Sequence, residues 1–235
     1  MTRARTLAGR QRHDALLARV PQGTATYVET LLAGHWVEVR LSRPRRSKLG
    51  DHRAPGRGQP HHRISVNENL NPYAFLITLL HEVAHMTTWE KHRLRMRRCR
   101  PHGREWKREF GGILAPVVAG GQLPADIAAA VAAFMQNPAA ASCTDRNLLV
   151  ALSHYDREET GRPRLEELPV GAVFRIDNGQ VFRMARRLRS RFQCFEQPSG
   201  REYRVHGLSR VEWLADGAAG RLQRWPDRDP DGALR

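Results

Sequence analysis

His81, Glu82 and His85 stand in the stretch HEVAH, and a further histidine, His102, follows in PHGREWK. On a helix, positions four apart share one face, so His81 and His85 can offer imidazole nitrogens to a single ion. Glu82, turned by about 100°, can address a water instead of the ion. That pattern suits zinc hydrolysis, which needs a third protein ligand and an open fourth position. The metzincin spacing would put glycine at 88 and histidine at 91; Thr88 and Lys91 stand there, which excludes that arrangement. Glu105 and Glu109 on the next helix are possible third ligands. His102 is better placed if it begins that helix, and His92 lies too far along the axis from His85.

The elements that must position these groups can be read from periodicity. Residues 9–20 and 22–34 predict two amphipathic helices separated by Pro21. HWVEVRLS, 35–42, alternates as a half-buried strand does, the Gly-, Pro- and Arg-rich stretch after it reads as a loop, and RISV, 63–66, reads as a second strand. Asn71-Pro72 predicts the start of a long helix over 72–90, with Phe75, Leu76, Leu79, Leu80, Val83 and Ala84 at helical spacing, so the HEVAH stretch sits on a buried helix. Further helices are predicted at 102–114, 124–135 and 145–155. From about 165 the period becomes two, with turn signals at Asp177-Asn178-Gly179 and Pro198-Ser199-Gly200, which predicts a small all-β module. The expected organisation is α+β: a helical domain with a small sheet over 1–156, a β-rich module over 157–224, and a disordered tail over 225–235 with too few apolar residues to pack.

Composition bounds the partners. Of 235 residues, 39 are Lys or Arg and 24 are Asp or Glu, a net charge of +15 that favours contact with a polyanion such as DNA or RNA. Only Lys48, Lys91 and Lys107 are lysines, so the surplus is arginine. The charge is concentrated in the 43–57 loop, which contains Arg45, Arg46 and Lys48, and in the 91–108 segment with Arg93, Arg95, Arg97, Arg98 and Arg100. Arg186, Arg187, Arg189 and Arg191 in the β module, beside Phe182 and Phe192, are compatible with a surface for single-stranded nucleic acid. Cys99, Cys143 and Cys194 are odd in number and form no C-x-x-C pair, which argues against a disulfide framework and points to a reducing cytoplasm, with nucleoid association possible. AFLITLL is too short to span a bilayer and the first residues lack an apolar export signal, so no membrane role is expected. A monomer is expected.

HEVAH, the following Trp89-Glu90-Lys91-His92, and PHGREWK together resemble the active-site region of the SprT family of zinc metalloprotease domains. RRSKLGDHR followed by HRISVN is similar to that family's strand-loop-strand upstream of the helix, and the resemblance covers roughly residues 10–155. It implies a zincin-like fold, one zinc ion at His81, His85 and His102, and Glu82 as general base. It also implies a protein substrate, since eukaryotic members cleave proteins crosslinked to DNA. Several bacterial members end in a cysteine-rich zinc ribbon, whereas the C-terminal region here has Cys194 alone, so a second zinc is not expected.

Three readings follow. The first is a zinc peptidase localised on DNA by its basic surfaces. The second is a nucleic-acid-binding, transcription-related protein whose zinc is structural or latent; an intact Glu82 disfavours it, since folding needs ligands but no general base. The third is a zinc hydrolase of small substrates, for which the chain has no phosphate loop and no second-metal cluster.

Overall fold

The computed structural model describes residues 14–45, 48–136, 145–156 and 161–214. The chain separates into two compact units, Met1–Arg157 and Glu158–Arg235.

In the first unit, helical residues at 14–17 lead through a turn at Pro21 to α1 (Ala25–Ala33). A three-stranded sheet follows, made of β1 (Val37–Ser42), β2 (Gly50–Arg53) and β3 (His62–Asn67). Its order is β1-β3-β2, with β1 parallel and β2 antiparallel to the central β3. The β2 segment belongs to the stretch expected as loop. Its four residues carry no strand periodicity of their own and become a strand by pairing with β3, in register Gly50↔Val66 to Arg53↔Arg63.

α2 (Pro72–His92) starts where Asn71-Pro72 predicts. Asn71 accepts from the backbone N–H of Tyr73 and Ala74 at 3.1 and 2.9 Å, and its own amide donates to the Leu152 carbonyl at 2.8 Å. That cap therefore also ties the helix to the end of α5 (Arg146–Ser153). Phe75, Leu76, Leu79, Leu80, Val83 and Ala84 are fully buried in the main core, with Ile64 and Val66 from β3. A short 3-10 helix, Arg93–Arg98, follows, then α3 (Arg104–Ala119), α4 (Ala125–Gln136) and α5. α3 runs past the predicted end at 114 with Pro116 inside it, because Ile113, Leu114 and Val117 continue its buried face and tertiary packing outweighs the lost hydrogen bond.

The second unit is a five-stranded antiparallel sheet: β4 (Val173–Arg175), β5 (Val181–Arg187), β6 (Arg191–Gln197), β7 (Glu202–His206) and β8 (Glu212–Leu214), in the order β7-β6-β5-β4-β8. One face carries Phe174, Phe182, Met184, Phe192 and Cys194 into a core closed by Leu165, Leu168 and Val211. The two expected turns are present, with Gly179 and Gly200 at φ 85° and 69°, backbone open to glycine at little cost. The tail expectation for 225–235 lies outside the described residues.

Candidate metal centre

α2 supplies His81 and His85 from one face, and the turn before α3 supplies His102. The Nε2 atoms of the three rings form a nearly equilateral triangle, with sides of 3.1 Å (His81–His102), 3.2 Å (His81–His85) and 3.0 Å (His85–His102). Hydrogen bonds cannot satisfy such a triangle. Each nitrogen is either a donor or an acceptor, so whatever the tautomers, at least one pair sets like against like. A cation at the centre removes the conflict by taking all three lone pairs. Nitrogens bound to zinc at 2.0–2.1 Å in a tetrahedron stand about 3.3–3.4 Å apart, so the observed triangle need widen by only a few tenths of an ångström to hold such an ion. Among the described residues these three histidines are the group able to hold a metal ion.

The chemistry of the donors agrees. Burial holds His81 down to about 3, with the neighbouring His85 and His102 adding to the effect, and burial holds His85 down to about 4, with His102 adding. Burial also lowers His102. All three imidazoles are therefore neutral ligands at neutral pH.

His102 reaches the triangle at a conformational expense. Its φ of 54° makes it the one non-glycine residue at positive φ among the described residues, a conformation that costs of order 1–3 kcal/mol and persists only where the surroundings hold it. Gly103 then donates to the Arg100 carbonyl at 2.8 Å, and a Cβ on it would lie 2.8 Å from that same oxygen, so glycine is required there by close approach. Trp106, 1% exposed, backs the cluster with ring centroids 4.7 Å from His81, 4.7 Å from His102 and 5.4 Å from His85, and Phe110 lies behind it. Trp106 is thus core and backs the three imidazoles, and its buried Nε1–H has no hydrogen-bond partner among the described residues.

Glu82 is 7% exposed and stands against β2. A Cβ built on Gly50 would fall 2.5 Å from Glu82 Oε1 and 2.8 Å from its Cγ, so the missing side chain at 50 is the space the carboxylate occupies. The backbone N–H of His52 donates to Glu82. Burial pushes the Glu82 carboxyl up to about 8, and Asp51 adds to this; Arg45, Lys48 and the His52 N–H oppose it.

Beyond His85 runs a second chain of polar groups that periodicity did not reveal. His52 Nε2 and His62 Nδ1 are 2.9 Å apart, His62 Nε2 lies 3.3 Å from Glu90 Oε1, and Glu90 Oε2 lies 2.7 Å from His35 Nδ1. Glu90 thus lies between His62 and His35 as their carboxylate neighbour, and of His52 Nε2 and His62 Nδ1 one donates to the other. The chain ties β2 to β3 and α2, and so holds the strand that flanks Glu82. Trp89 meets the His62 ring edge-on at 5.0 Å. Beside it opens a cavity of about 340 Å³ walled by Trp36, Trp89, His62 and Glu90 with Pro55 and Pro60. The pairing of a histidine in β2 with one in β3 was the available signal, but it required knowing that 50–53 is a strand.

The remaining site expectations divide. Glu109 is paired with Lys91 at 2.7 Å and does not join the triangle, nor do Glu105 and His92. Arg45 is committed internally: Nε donates to Asn67 Oδ1 at 2.9 Å and its terminal nitrogens donate to Ser65. Asn67 is buried and donates back to the carbonyls of Arg45 and Lys48 at 3.1 and 3.2 Å. Lys48 pairs with Asp51 at 2.6 Å. Arg45 and Lys48 thus brace the β1–β2 connection near Glu82 rather than projecting as free cations. Arg46 and the side chains of Arg97 and Arg98 lie outside the described residues, whereas Arg93, Arg95, Arg100, Arg186, Arg187, Arg189 and Arg191 are exposed. No described helix is long and apolar enough to cross a membrane.

Comparison with curated proteins and with solved structures finds no match. The family model described as the SprT-like family matches residues 2–123, the span that contains β1 to β3, the HEVAH helix and His102. With more than half of its length matched, and with the histidine triangle inside the matched span, the chain belongs to the SprT-like family.

Proposed function

We propose that the protein is a zinc-dependent peptidase with a zincin-type active site, acting on proteins associated with DNA. The observation that carries this reading is the triangle of three neutral imidazole nitrogens, 3.0–3.2 Å on a side, adjoining a helix position that bears the buried Glu82. His81, His85 and His102 would hold the ion, which supplies Lewis acidity to a peptide carbonyl and makes water nucleophilic near neutral pH. Glu82 takes the proton from the attacking water and delivers it to the leaving amine. Its placement supports that role, because a buried carboxylate seated against β2, one residue from His81, is held close to the ion's site and can both accept and return a proton there. Gly50 and the His52 N–H keep the carboxylate in place while it does so. β2 lies at the edge of its sheet, where an extended peptide can add as a further strand. The net charge of +15 and the exposed arginines after α2 support a DNA-associated substrate.

The test combines zinc content by mass spectrometry for wild type and His102→Ala with cleavage of a DNA-bound protein by wild type and Glu82→Gln. The expected result is about one zinc per chain, weakened by His102→Ala, and cleavage that requires Glu82 and DNA. Zinc without cleavage, or cleavage that survives Glu82→Gln, overturns the peptidase reading.

A further inference from the structure

The second unit has one face in its core and one face out. Residues that pair across the outer face form three rows: Arg183, Phe195 and Glu202; Gln193 and Arg204; Arg191 and His206. The bulge between Met184 and Arg187 brings Arg186 to the second row, where its Nε donates to Gln193 Oε1 at 3.1 Å, and Arg189 lies in the β5–β6 turn. Other arginines of this unit are neutralised, Arg175 by Glu212 at 3.0 Å and Arg162 by Asp177 at 2.9 Å. Arg186, Arg189, Arg191 and Arg204 are all exposed and have no carboxylate partner among the described residues. Like charges gathered this way repel one another, and among the described residues none of the four is held in an ion pair.

We propose that these four arginines, with Gln193 and the half-buried Phe195, form a binding site for single-stranded nucleic acid. The charge calls for a polyanion. An aromatic ring and a glutamine amide on an open sheet face match a splayed strand, whose bases can stack and hydrogen-bond while the arginines take its phosphates. Glu202, beside Phe195, bounds the site on the β7 side. This deepens the nucleic-acid half of the reading above, yet binding there needs neither the ion nor Glu82, so the two fail separately.

The experiment is fluorescence anisotropy of the full chain with a labelled 20-mer of deoxythymidine across a salt series, beside a duplex of the same length. Wild type is expected to prefer the single strand. The combined Arg189→Ala, Arg191→Ala and Arg204→Ala variant is expected to lose at least about tenfold in affinity, and its slope of log affinity against log salt is expected to flatten by about 2, at roughly 0.7 per phosphate contact. All three side chains are exposed, so the melting temperature should hold. Glu82→Gln should bind as wild type does. Unchanged affinity and slope in the triple variant, or tighter binding of the duplex, would overturn the proposal.

Discussion

Gly50→Ala is the most economical perturbation of the candidate site. The added Cβ would sit 2.5 Å from Glu82 Oε1, 2.8 Å from Glu82 Cγ and 2.8 Å from Thr78 Cγ2. An ordinary contact begins near 3.4 Å, so the carboxylate oxygen must retreat by about 0.9 Å. Rotating the end of the side chain does not suffice, because Cγ and the Thr78 methyl are crowded too and both residues are buried on α2. Overpacking of this kind costs about 1–3 kcal/mol, which for a chain of this size is roughly 2–4 °C of melting temperature per kcal/mol. A catalytic group displaced by about 1 Å can lose about a hundredfold in rate. The variant should therefore bind zinc as wild type does, melt a few degrees lower, and hydrolyse about a hundredfold more slowly, with the loss in kcat rather than KM. Zinc titration, a thermal melt and a cleavage time course read the three quantities. A Gly50→Ala protein with the wild-type rate would refute the placement of Glu82 against β2 as the source of its function.

Metal removal should destabilise the protein: at a free zinc concentration of 100 Kd the folded state gains about 2.7 kcal/mol, so a chelator should lower the melting temperature by roughly 5–10 °C in wild type and by far less in His81→Ala or His85→Ala. His102→Gly and His102→Ala both delete the ligand but differ in backbone. Because residue 102 sits at φ 54°, the glycine variant should be the more stable in chelator by about 0.5–1 kcal/mol, measured by denaturant melts, and equal stability would argue against strain there. Cys194 is fully buried and its thiol is pushed up to about 11 by burial. The native protein should keep it protonated at pH 9 to 10, where an unfolded thiol ionises, so its contribution to stability is lost as pH rises from about 9 to about 11. Mass mapping after mild alkylation should find Cys194 unmodified until denaturant is added.

Of the site, the helix-borne part was legible. His81, Glu82 and His85 lie on one element whose start is marked by Asn71-Pro72 and whose core face is marked by its apolar spacing, and local periodicity encodes both. His102 was legible as the better-placed third ligand on the expectation that it begins the next helix, with Glu105 and Glu109 still open, and the structure sets it in the turn just before α3. The β2 strand was not legible, because GDHR has neither strand composition nor alternation and exists through its partner. With β2 unseen, the roles of Gly50 and His52, and the chain from His52 through His62 to Glu90, could not be seen either. Arg45 and Lys48 illustrate the same limit: composition counts them as surface charge, and only their neighbours show that Asn67, Ser65 and Asp51 hold them.

What the amino-acid order determined alone is what one element can encode: a metal-ligand spacing on a capped, buried helix, a surplus of arginine, and the change from helical to alternating period near residue 165. Tertiary structure decided what depends on residues distant in the chain. It brought His102 within 3.0–3.1 Å of the other two nitrogens in a strained left-handed turn, and it set a glycine where a carboxylate needs room. The physical reason is that periodicity reports which face of an element meets the core, whereas the distance between two groups on different elements is fixed only when strand pairing and helix packing have closed the chain between them.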